Sequence, residues 1–124
     1  ICFIATGNIM INAFEAIKLL NKDKIYPALF SVHSIKPLDK NNLKKIMKKF
    51  KHVIILEEHS NIGGLATAIS ETFLGIKNNN KFLKLNLGEN FIVKSGKQES
   101  AIKILKLSSK KIKQRVIKFI KNEN

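Results

Sequence analysis

Residues 52–73 read HVIILEEHSNIGGLATAISETF. Val53 to Leu56 is a short, wholly apolar, β-branched-rich run, as expected of a strand buried on both faces. Glu57-Glu58-His59-Ser60-Asn61 is an abrupt polar block. Gly63-Gly64 then opens a segment with Leu65, Ala68, Ile69, Thr72 and Phe73 at helical spacing. Strand, polar turn, paired glycines and helix form the crossover unit of a parallel α/β sheet. Polar groups at the carboxyl end of such a strand occupy the place where α/β proteins build their sites.

The segments on either side repeat this alternation. Ile1 to Ala5 reads as a buried strand, Thr6-Gly7-Asn8 as a tight turn, and Ile9 to Asn21 as a helix. Met10, Ala13, Phe14, Ile17 and Leu20 give that helix its apolar rhythm. Ala28 to Val32 is a second strand after Pro27. Asp39 is placed to cap a helix over Lys40 to Phe50, with Leu43, Ile46, Met47 and Phe50 as its inner stripe. Phe82 to Leu87 reads as a fourth strand with one less buried face, as at a sheet edge. Phe91 to Val93 suggests a short extended stretch, and a helix is predicted near Gln98 to Leu105. A last helix starts at Ser108 or Ser109 and ends near Lys121. This order gives an α/β sandwich with a mainly parallel sheet and right-handed crossovers.

The 124 residues fit one domain, 1–124, and no apolar run is long enough to span a membrane. The start, ICFIATGNIM, lacks the basic region of a signal peptide and reads as the interior of a longer chain or a subunit. Cys2 is the one cysteine, so a disulfide framework within the chain is excluded and a reducing, cytoplasmic setting is expected.

The net charge is +14, from 23 Lys+Arg against 9 Asp+Glu. A stand-alone basic module that binds anions or nucleic acid is the rival reading of this charge, but nucleic-acid binding is not expected. Arg115 is the one arginine, and arginine is the residue that reads phosphate and guanine bidentately. The lysines are scattered over outer helix faces without interleaved aromatics, as a compositional bias would leave them.

Glu57, Glu58 and His59 are the clustered acid/base groups. Strand alternation points the two carboxylates to opposite sides, against a shared metal ion. His33, at the end of the second strand, would approach His59 if those strands were neighbours. A helix starting near Gly63 would favour a carboxylate at its amino end. Ser60 is not in G-x-S-x-G, and C-x-x-C, H-E-x-x-H and phosphate-loop motifs are absent. No catalytic, cofactor-binding or metal residue is assigned. Glu58, His59, Asn61, Gly63 and Gly64 are instead expected at a domain or subunit interface.

Five motifs in one order carry a resemblance. They are ATGN at 5–8, Glu15-Ala16 within a helix, HSIKPLD at 33–39, EEHSNIGGLATAISE at 57–71, and LG-x-x-F at 87–91. Together they resemble the C-terminal domain of the transketolase family of thiamine-diphosphate enzymes, most of all transketolases split into two subunits. Deoxyxylulose-phosphate synthases and the beta subunits of 2-oxoacid dehydrogenases share the domain. Ala66 stands where glycine is common in the family, and Asn90 where aspartate is common.

The resemblance implies a three-layer α/β/α sandwich with the four strands ordered 2-1-3-4, all parallel. It implies a parent enzyme that moves a two-carbon ketol unit between sugar phosphates. Thiamine diphosphate and a divalent metal such as Mg would be held by other domains, one through a GDG-type motif. This domain would be catalytically silent and would pack against those domains or subunits, in a homodimer or heterotetramer.

Overall fold

Two apolar strands form the centre of the sheet in the computed structural model, which describes residues 1–88 and 107–122. They are β1 (Cys2–Ala5) and β3 (His52–Leu56). They pair in parallel, with Cys2 opposite Val53 and Ala5 opposite Leu56. β2 (Ala28–Ser31) flanks β1 and β4 (Lys81–Leu85) flanks β3, giving the order β2-β1-β3-β4 with every pairing parallel. This is the expected order.

Among the described residues four helices cover the faces: α1 (Met10–Asn21), α2 (Lys40–Lys49), α3 (Leu65–Phe73) and α4 (Ser109–Lys121). Successive residues of a strand face opposite ways, so each central strand supplies two cores. Phe3, Ala5, Ile54 and Leu56 pack with α1 and α4, through Ala13, Leu20, Ile112 and Val116. Cys2, Ile4, Val53 and Ile55 pack with α2 and α3, through Leu43, Met47, Leu65 and Ile69. Phe3, Ile4 and Ile54 retain no exposed surface. Burying each such side chain stabilises by roughly 1.5–3 kcal/mol.

The flanking strands differ. Lys81, Phe82 and Lys84 of β4 are exposed while Leu85 is buried, the one-sided burial expected of an edge. β4 ends at Leu85, two residues before the expected limit.

α1 corrects one reading. Its inner stripe is Ala13, Ala16, Ile17 and Leu20, whereas Phe14 is 52% exposed. The helical period puts Phe14 a full 100° from Ala13, off the buried stripe. There its ring packs under the Lys18 ammonium, 4.6 Å away. α2 begins as expected, with Asp39 accepting from the Asn42 amide at 3.0 Å. That bond, with a second from the Asn42 side chain, holds the Asp39 carboxyl below its ordinary value. α2 stops at Lys49 because Phe50 turns to extended backbone and packs edge-on against Phe30, 5.8 Å between ring centres. The stretches expected at Phe91–Val93 and Gln98–Leu105 lie outside the described residues. No helix among the described residues is long and apolar enough to cross a membrane.

Cys2 has no exposed surface, and burial pushes its thiol up to about 12. Thiolate is the reactive form, so near neutral pH it is depleted by about a thousandfold relative to an exposed cysteine. We therefore expect no labelling of the folded protein by a thiol-selective disulfide reagent, and full labelling in denaturant. Fast labelling of the folded chain would contradict this burial.

Candidate functional site

Glu57 follows the last residue of β3, and strand alternation places it with Val53 and Ile55 on the face that α3 covers. Its side chain is 1% exposed. Its Oε2 accepts from the Leu65 amide at 2.6 Å and its Oε1 from the Ala66 amide at 3.1 Å. These are the first two residues of α3, whose N-cap position, Gly64, has no side chain to offer. A helix leaves its first amides without partners and carries partial positive charge there. The buried carboxylate answers both needs from across the loop, and both of its oxygens are engaged.

Gly64 makes room for this arrangement. A Cβ on Gly64 would fall inside the Glu57 carboxylate and 3.0 Å from His59 Cγ. Its backbone, at φ −92° and ψ −164°, is open to any residue, so glycine is needed here for space. Gly63 is different: its φ is +82°, a conformation that disfavours side chains. Its amide donates to Thr67 Oγ1 at 3.1 Å.

The outer part of the loop is tied to the end of β4 and the residues after it. His59 O accepts from the Leu87 amide at 3.0 Å, and the Asn61 amide donates to Gly88 O at 3.0 Å. Lys84 Nζ donates to Asn61 O at 3.1 Å, and Asn86 Nδ2 to Ser60 O at 3.4 Å. His59 Nδ1 lies 3.3 Å from Ser60 O, which fixes the exposed ring locally. At the crest of the loop Ile62 is 78% exposed.

Of the residues singled out from sequence, His59, Gly63 and Gly64 are in mutual contact range, Asn61 braces the same loop, and Glu58 stands half-buried at its start. Glu57, singled out from sequence as an acid/base group and not as an interface residue, anchors the whole turn. His33 does not join them, because β1 lies between β2 and β3. It sits instead 3.5 Å from Ser31 Oγ. Among the described residues no group of three His, Cys, Asp or Glu side chains is gathered as metal ligands would be.

The fold also brings two distant motifs together. The Ile35–Leu38 segment and the first turns of α3, at Gly63, Gly64 and Thr67, line one concavity of about 530 Å³. Nearby, Thr6 links the three strand ends, its amide donating to Leu56 O and its hydroxyl to Val32 O. The loops at the carboxyl ends of β1, β2 and β3 thus form one continuous, braced surface.

Comparison with known proteins places this surface in context. The chain is 31% identical over 122 residues to a 1-deoxy-D-xylulose-5-phosphate synthase of Dictyoglomus thermophilum, covering 98% of this chain and 20% of that protein. It is 32% identical over 120 residues to a putative transketolase C-terminal section of Methanocaldococcus jannaschii, covering 97% of this chain and 37% of the relative. The chain thus spans a fifth to just over a third of the length of these relatives. Among solved structures, a split-gene transketolase described as an inactive β4 tetramer superposes with a TM-score of 0.79 over 97% of this chain and 39% of its own, at 24% identity, a likeness of fold. The family described as the transketolase C-terminal domain matches residues 1–112. Sheet order, the braced GGL turn and the match along nine-tenths of the sequence converge: the chain belongs to the transketolase C-terminal domain family.

Proposed function

We infer that this chain, as one domain over residues 1–124, forms the C-terminal part of a transketolase-like enzyme that transfers a two-carbon ketol unit between sugar phosphates. In this reading thiamine diphosphate and its divalent metal are held by other domains or a companion subunit, in the cytoplasm. The cofactor supplies the carbanion chemistry there. The present chain contains no GDG-type motif to hold a diphosphate, and its own part is to pack against those neighbours in a dimer or a tetramer of two subunit types. The similarity to a 1-deoxy-D-xylulose-5-phosphate synthase favours a second reading, in which the parent is such a synthase and the role of this domain is unchanged.

The observation that carries the packing role is the contrast within one loop. Its base is locked by the buried Glu57 carboxylate, while its crest presents Ile62, 78% exposed, beside the concavity. A rigid loop with an apolar tip suits docking, because little order is lost on association. Glu58, His59, Asn61, Gly63 and Gly64 then belong to the contact or shape it. The test uses the complete enzyme with Ile62→Glu and, separately, His59→Ala. A charge at Ile62 is expected to weaken subunit or domain association by at least about tenfold and to lower turnover, with the melting temperature of the chain itself unchanged. Normal assembly and normal turnover in both variants would refute the interface.

A further inference from the structure

A second cavity, of about 640 Å³, lies at the opposite end of the sheet, where α2 and α3 end and β3 and β4 begin. That volume suits a small metabolite. Its floor is apolar: Met47 and Phe73 are buried and Phe50 is half-buried. Its walls carry Lys44, Lys48, Lys49, Lys51 and Lys77, and no Asp or Glu. All five lysines are exposed, and none has an acidic partner among the described residues.

Lysines near helix ends are often there to offset the dipole, so the magnitudes matter. Two helix carboxyl ends amount to about one negative charge in total, against five full positive charges. Asn80 also covers part of that negative end, since its Nδ2 donates to Met47 O and to Phe50 O at 2.7 Å each. Asn78 braces the same loop by accepting from the Asn80 amide at 3.3 Å and donating to Ile76 O at 3.2 Å. The Asn79 side chain engages no other described residue and lines the cavity. The result is a fixed hollow with an aromatic floor, one free amide and a surplus of cations.

We propose that this cavity binds a nucleoside phosphate. The base packs on the floor between Phe50 and Phe73, as flat rings do on aromatic side chains. The Asn79 amide pairs with its edge, and adenine offers the matching donor and acceptor. The phosphates lie among the lysines, which bind them as point charges. A sugar phosphate would meet the same lysines but would leave the apolar floor facing a hydroxylated ring. The site is remote from the Glu57 loop and does not depend on the role assigned to that loop.

The test is calorimetric titration of the purified protein, with whichever chains accompany it, using ATP, adenosine, pyrophosphate and a short DNA duplex. ATP is expected to bind, and adenosine and pyrophosphate each at least about tenfold more weakly, because each meets half of the site. Lys48→Glu with Lys77→Glu is expected to weaken ATP by at least about tenfold, and Asn79→Ala to narrow the gap between ATP and pyrophosphate. Should that double variant fold poorly, Lys44→Glu with Lys51→Glu reads the same site. The proposal is overturned if ATP does not bind at about millimolar concentration, or if the charge reversals leave its affinity unchanged. It is equally overturned if pyrophosphate matches ATP, or if the duplex displaces ATP with a steep salt dependence, the mark of a general polyanion surface.

Discussion

Gly64→Ala is expected to destabilise the protein by about 3 kcal/mol, a large effect for one added methyl group. The new Cβ would occupy the volume of the Glu57 carboxylate and press on the His59 ring. The carboxylate must move, and both of its bonds to the start of α3 are then lost. Hydrogen bonds to a charged group contribute about 1.5–3 kcal/mol each. Alanine is also a poorer N-cap than glycine, but by about 1 kcal/mol at most, so the larger part of the loss comes from the clash. Thermal unfolding should show a fall of about 10 °C. An unchanged melting temperature would mean that the loop gives way freely and that Glu57 is not held as described.

Glu57→Ala is expected to cost a similar amount, about 3 kcal/mol, by a different route. The amides of Leu65 and Ala66 lose their partners, the helix dipole loses its counter-charge, and a void is left beneath the loop. Glu57→Gln should cost about half as much, because one carbonyl oxygen can still accept while the amide nitrogen faces another donor. The two sites share one contact, so their effects should not add. Introduced into the Glu57→Ala background, Gly64→Ala should cost much less than it does alone. Full additivity in denaturant unfolding would show that Gly64 matters for a reason other than room for the carboxylate.

The relation of Glu57 to its neighbour explains where sequence reasoning stopped. The buried runs at Cys2–Ala5 and Val53–Leu56 were legible because a strand covered on both faces tolerates no polar residue. The Asp39 cap was legible because its signal is local. The pair Glu57-Glu58 shows only that the two carboxylates diverge, and the interface was assigned to Glu58. Continuing the alternation of Val53 and Ile55 by one more step would have placed Glu57 on the α3 side, where unpaired amides wait. The paired glycines resemble a flexible turn, whereas only Gly63 needs a left-handed backbone and Gly64 is small for the sake of Glu57, seven residues earlier in the chain. That distinction is one of tertiary contact, and spacing does not carry it. The exposed Phe14 was missed because a stripe of five apolar positions is wider than the buried strip of α1.

The central place of β1 has a consequence for biosynthesis. Its main partner, β3, lies roughly fifty residues further along the chain. At about 5–20 residues per second, several seconds pass between the emergence of the two from the ribosome. During that interval the Cys2–Ala5 ribbon lacks β3, and the flank that β3 covers is an open apolar template. This stretch is therefore more prone to clumping before residue 56 has cleared the exit tunnel than after it, and in that window a chaperone would protect it.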